Sequence, residues 1–227
     1  MPYYQGGYYL VKLKELHFGS LVGRRILTPS SCLNDNCIDS WAYSWAGQED
    51  KAYALERYDW SKEKLRAVEK WVDAQFEAGQ VGWVEVFRTL EAAKEYKQLF
   101  FEEEEVLYIG ISFSEQQQQE LVEYFSPPHY QEGQVGLQQF LCQKTPENPA
   151  GEVLGYDLIG VEIDSSFHSL HCHDLQATLE QEFDVEFNAN GLIREGKDWK
   201  VLVDYCNDEN SGLAPVLWFY VKMKKYE

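Results

Sequence analysis

LGYDLIGVEIDSSFHSLHCHDLQATLEQEF, Leu154–Phe183, decides the architecture, because it joins an apolar run of strand length to a segment with helical spacing. Leu158, Ile159, Val161 and Ile163 form the centre of LGYDLIGVEID, and a short run rich in branched aliphatic residues predicts a buried strand. Asp164, Ser165 and Ser166 then offer side-chain oxygens to the first free N–H groups of a helix. Counted from His168, helical spacing reaches Cys172, Leu175, Leu179 and Phe183, which make one apolar stripe. On that wheel His168 and Cys172 face the core, whereas His173 points away beside Ser169, Gln176 and Glu180.

The flanking chain supplies more strands and helices. On the N-terminal side, Gly6–Leu16 alternates Tyr9, Val11 and Leu13 against Leu10, Lys12 and Lys14, which predicts a strand near a sheet edge. Residues 19–36 are rich in Gly, Pro, Ser and Asn and read as loop, with a short helix in CIDSWAYSWAG after them. DWSKEKLRAVEKWVDAQFEAG carries a cap at Asp59 or Ser61, a stripe of Leu65, Val68, Val72 and Phe76, and a stop at Gly79. Val81–Phe87 alternates as a strand, and Thr89 caps a helix in LEAAKEYKQLFF. Glu102–Glu105 oppose the macrodipole at that helix end, so they belong in an exposed loop. Val106–Ser114 is a strand, and Ser114 with Gln117 forms a capping box opening EQQQQELVEYF, whose four glutamines are expected to face solvent.

Pro127 and Pro128 stop that helix, QVGLQQFLCQ is a further short one, and KTPENPAGE is the least structured stretch. FNANGLI is a turn, GKDWKVLVDYCND a helix with Trp199, Leu202, Val203 and Cys206 inward, and APVLWFYVKMKKY the last strand. Strands separated by helices in this way predict an α+β chain with a single mixed or antiparallel sheet of about five strands, its helices packed mainly on one face. One domain over 1–227 is expected, with 144–152 the weakest point at which to divide it.

The 227 residues are 44% hydrophobic and 15% aromatic, ample for a packed core. Net charge is −18, unevenly spread: Lys12, Lys14, Arg24 and Arg25 against Glu15 leave residues 1–28 at +3 and the remainder at −21. Such a surface repels nucleic-acid phosphates and anionic lipid. The N-terminus lacks a signal-peptide layout and no apolar run approaches the ~20 residues of a spanning helix, so a cytoplasmic location is expected. Five scattered cysteines, an odd number without a CxxC pair, read as reduced thiols.

Three groups of residues could carry chemistry or binding. His168, His171 and Cys172 are metal-ligating types, yet a helix would bring at most two of them to one ion. Cys37 at the start of CIDSWAY could be an activated thiol at a helix N-terminus, served by a histidine such as His129 in SPPHYQEG, as in a hydrolase. No phosphate-cradling, dinucleotide, serine-hydrolase, zinc-protease or EF-hand motif is present, and no cofactor is expected. The acidic balance and the abundance of Tyr and Trp favour instead a non-enzymatic domain that binds a basic protein through Glu102, Glu103, Glu104 and Glu105, in the manner of a small immunity or inhibitor protein.

Overall fold

This computed structural model describes residues 2–12, 22–30, 33, 48–82, 86–126, 136–162, 166–195 and 198–227. The chain is α+β, built on one antiparallel five-stranded sheet. The strands are β1 (Tyr3–Lys12), β2 (Val106–Ser114), β3 (Glu152–Val161), β4 (Phe167–Ser169) and β5 (Leu217–Tyr226), in the order β1-β2-β5-β3-β4. The first strand thus lies at an edge, as its polar alternation suggested, and the last strand is central.

Most helices begin where a side chain can cap them. Ser61 accepts from Lys64 N at the start of α2 (Lys62–Glu77), and Thr89 accepts from Ala92 N at the start of α3 (Leu90–Phe100). Gly79 follows α2 with φ +67, a conformation that costs glycine little. Ser114 is both the last residue of β2 and the cap of α4 (Glu115–Tyr124), and α5 (Leu137–Cys142) and α7 (Trp199–Cys206) fall where the apolar spacing places them. A further helix, α1 (Gln48–Tyr58), was not anticipated, since its sequence has no continuous apolar stripe.

Helices cover both faces of the sheet, not mainly one. Ile109, Ile111, Phe113, Ile159, Phe219 and Val221 share a face that packs on Leu121 of α4 and Leu137, Phe140 and Leu141 of α5. The opposite face is shared between two groups. At the β1 end, Tyr8, Leu10 and Tyr226 pack on Val68, Val72, Ala93 and Tyr96 of α2 and α3. At the β3 end, Tyr156, Leu158, Trp218 and Tyr220 pack on Leu202 and Val203 of α7 and on Leu175 and Leu179. Alternating residues on β1 and β5 are apolar on both sides, which is why a single helical layer would leave half of this surface in water.

Between those two groups runs a polar row of direct cross-strand neighbours, Gln5, Ser112, Lys222 and Tyr156. The segment 144–150 lies against it. Gln5 N donates to Thr145 O and Glu147 N to Tyr3 O, while the Glu147 carboxylate meets Lys222 Nζ at 3.0 Å and Lys224 Nζ at 3.2 Å. A stretch with two prolines and no periodic pattern is therefore held by ion pairs and edge hydrogen bonds.

The histidine segment differs most from its sequence reading. In place of one helix, Phe167–Ser169 form β4, paired back on β3 with Gly160 opposite His168. A 3-10 turn at Leu170–His173 and a short α6 (Gln176–Glu182) follow. Two local contacts oppose a continuous helix: Glu162 N donates to Ser166 O across the β3–β4 connection, and Asp174 takes a left-handed conformation with φ +54. The buried histidine is consequently His171, not His168. Leu175 and Leu179 do enter the core and Phe183 packs beside it, because the apolar spacing there was sound even though the helix is shorter.

Phe87 bridges both Val81 and Tyr8 of β1, exchanging two backbone hydrogen bonds with Tyr8, and residues 83–85 of the expected strand Val81–Phe87 lie outside the described residues. One other expectation changes. Gln117 and Gln118 are buried, each about 1% exposed, while Gln116 and Gln119 face solvent. Gln118 Nε2 donates to Leu141 O, tying α4 to α5.

Candidate binding site

The Glu102–Glu105 run follows the last turn of α3 and all four residues are exposed. Helix geometry has already ended there: Phe101 N donates to Lys97 O, Glu104 N donates to Phe101 O, and Lys97 Nζ donates to Glu102 O at 2.6 Å. The lysine thus takes up a backbone acceptor where the four carboxylates would otherwise add to the negative helix end. Glu102, Glu103 and Glu105 make no ion pair among the described residues. Their negative potential is left facing outward.

Three of these glutamates border a cavity of about 300 Å³. Its walls come from the end of α1, the start of α2 and the end of α3, which meet because the chain reverses at Asp59. That residue takes φ +50, Trp60 N returns to donate to Leu55 O, and Ser61 starts the next helix at once. Tyr58 and Trp60 are therefore brought face to face, with ring centroids 4.7 Å apart and 30° between planes. Phe101 closes the corner at 5.3 Å from each ring. Lys64, one turn into α2, places its Nζ 5.5 Å from the Trp60 centroid and 5.9 Å from that of Phe101, within the range where a π-face attracts a cation. Leu99, 53% exposed, adds an apolar lip.

A second cavity of about 430 Å³ lies beside Leu90, Tyr226 and the chain's last residue, but Lys94 and Lys225 face Glu152 and Glu227 there, so it prefers neither sign of charge. The aromatic corner is different: one internal cation, three rim carboxylates and π-faces, all suited to positive charge.

Strands β3 and β4 and the 3-10 turn bring several polar groups together. Asp157 is wholly buried; Thr28 Oγ1 donates to it at 2.5 Å, Ser169 Oγ at 2.8 Å and Leu170 N at 3.4 Å. Burial pushes its carboxyl up to about 6 against the pull of the two hydroxyls. Burial likewise drives His171 down to about 4, and its Nε2 lies 2.7 Å from Gly191 O. Gly191 sits at φ +74, and a Cβ there would meet His171 Nε2 at 3.0 Å and Ile26 Cδ1 at 2.4 Å, so the contact requires glycine. His168 turns outward to Glu162 at 2.8 Å, and Cys172 Sγ lies 3.0 Å from Ser30 Oγ. His168, His171 and Cys172 thus have three separate partners, and no set of three metal-ligating side chains converges among the described residues. Cys37 and His129 lie outside the described residues.

Sequence reasoning found the glutamates by their charge and missed the aromatic corner. Trp60 and Phe101 are themselves buried core residues with Tyr58 packed against them, and that they also border a cavity emerges only when the three helices are placed together; their clustering at the ends that flank an acidic run was the only signal. No described helix is long and apolar enough to cross a membrane. No family model matches the chain, and no curated protein or solved structure is detectably similar to it.

Proposed function

We propose that this chain is a cytoplasmic, non-enzymatic protein-binding domain whose acidic face receives a basic protein, as an immunity or inhibitor protein does. One observation carries the reading: the exposed Glu102 and Glu103, which make no ion pair among the described residues, border a cavity walled by aromatic residues. Exposed carboxylates beside large aromatic side chains combine long-range attraction for a basic surface with the residue types that dominate protein-binding energy. The net charge of −18 extends the attraction beyond the cavity, where it raises the rate of encounter more than the lifetime of the complex.

The experiment begins with affinity isolation from the native host at low salt, followed by association kinetics with the purified partner. The on-rate should fall steeply as salt rises, since exposed charges are screened beyond about 10 Å at 0.1 M ionic strength. Replacing Glu102–Glu105 together by glutamine should slow association with little change in thermal stability. A partner whose on-rate ignores both salt and those four substitutions removes the acidic face from the function.

A further inference from the structure

We infer that the cavity beside Trp60 holds a lysine side chain of the basic partner, and that Lys64 is the occupant it displaces. This deepens the proposed function and rests on it. The first observation is the shape of the corner: Tyr58, Trp60 and Phe101 lie within 4.7–5.3 Å of one another by centroid and all three border one small space. About 300 Å³ is the lower end of ligand-sized cavities and suits an extended alkyl chain with a compact head.

The second observation is independent of the acidic rim. An ammonium already occupies the corner: Lys64 Nζ stands 5.5 Å from the Trp60 ring and 5.9 Å from Phe101, and Lys64 makes no ion pair among the described residues. The chain's own side chain therefore reports the chemistry that the corner accepts, an alkyl stem along aromatic surface with a cationic head over ring faces. Because no carboxylate pins that ammonium, it can swing to solvent on a four-carbon stem and leave the cavity to a second cation. The rim then selects the incoming group, since Glu102, Glu103 and Glu104 repel anions and give nothing to a neutral alkyl chain.

The test is a titration of the full chain with n-butylammonium chloride, read from the Trp60 indole N–H signal in a nitrogen–proton correlation spectrum assigned with Trp60→Phe. In Lys64→Ala the internal competitor is gone, and a saturable shift is expected about tenfold tighter than in the unmodified chain. The shift should be absent with 1-butanol, a neutral chain of the same length. It should also be lost when Glu102→Gln, Glu103→Gln and Glu104→Gln are added to Lys64→Ala. No saturable shift in Lys64→Ala, an equal response to 1-butanol, or tighter binding of n-butylguanidinium than of n-butylammonium each overturns the lysine assignment. The two readings fail separately: a partner whose association obeys salt and the four-glutamine variant, together with no butylammonium binding, removes the cavity from recognition and leaves the acidic face in place.

Discussion

The side-chain amide of Gln117 pairs with the backbone of Tyr220 as a neighbouring strand would, its Nε2 donating to Tyr220 O at 2.9 Å and its Oε1 accepting from Tyr220 N at 2.5 Å. The β2–β5 ladder ends at Ser112 and Lys222, because Ser114 turns the chain into α4. Beyond that point β5 would present unpaired N–H and C=O groups in the core. Gln117 satisfies those of Tyr220, and Asn207 satisfies those of Trp218 in the same way, accepting at 2.9 Å and donating at 3.2 Å. Two amide side chains from helices thus extend a ladder that no strand continues.

Gln117→Ala should therefore destabilise the chain by about 2–4 kcal/mol, since it leaves two buried backbone groups without partners. Gln116→Ala, one position away on the exposed side, should stay within about 0.5 kcal/mol. Urea denaturation of both variants checks the contrast. Equal effects would mean that water enters to satisfy Tyr220.

The same helix shows what the sequence could and could not reveal. Caps at Ser61, Thr89 and Ser114 and the apolar stripe of Leu65, Val68 and Val72 are local signals, so α2, α3, β2 and α4 were legible to within a residue or two. Which glutamine of four faces β5 depends on the packing angle of α4, which no local pattern encodes. His168, Cys172, Leu175 and Leu179 fit a helix wheel, yet Phe167 and Ser169 flanking His168 fit a strand equally well. The choice was made by Asp157, whose carboxylate takes the Ser169 hydroxyl and Leu170 N–H from a neighbouring strand. The candidate site divided similarly: charge marked the Glu102–Glu105 run, while the aromatic corner arises only where three helix ends meet.

Glu147 pairs with two lysines at once, and the side chains of Lys224 and Lys222 are only 4% and 13% exposed. Glu147→Ala should cost about 3–5 kcal/mol, because it leaves ammonium groups in a poorly solvated place, Lys224 retaining only Asn148 O at 2.7 Å. Glu152→Ala, on exposed chain nearby, should cost little. Thermal unfolding would separate them, and a loss below about 1 kcal/mol for Glu147→Ala would mean that the lysines reach solvent without it.

The described cysteines, Cys142, Cys172 and Cys206, are free thiols and differ in access. Cys142 is exposed, whereas Cys206 is buried among apolar side chains, where burial and the nearby Asp157 carboxylate push its thiol up to about 12. With a disulfide reagent at mildly alkaline pH, Cys142 should react first and Cys206 only as the chain unfolds. Peptide mapping of partly labelled protein checks the order; labelling of Cys206 as fast as Cys142 would place α7 in rapid local opening.

Asp157 and His171 make opposite demands on pH. Asp157 keeps its proton up to about 6 in the folded chain, well above an ordinary aspartate, so the folded state binds more protons than the unfolded one between about pH 4 and 6. Stability from this group falls as pH rises through that window. His171 is held neutral down to about 4, below an ordinary histidine, so the unfolded state binds more protons between about pH 6.5 and 4 and stability from this group falls as pH drops. Each shift corresponds to about 3 kcal/mol, and over the shared window the two slopes offset. Asp157→Asn should expose the histidine slope, making the chain more stable at pH 6.5 than at pH 4.5 relative to the unmodified protein. His171→Gln should expose the aspartate slope and reverse that order. Urea midpoints at the two pH values decide the matter, and parallel pH profiles for all three proteins would show that neither group's pKa differs between the folded and the unfolded chain.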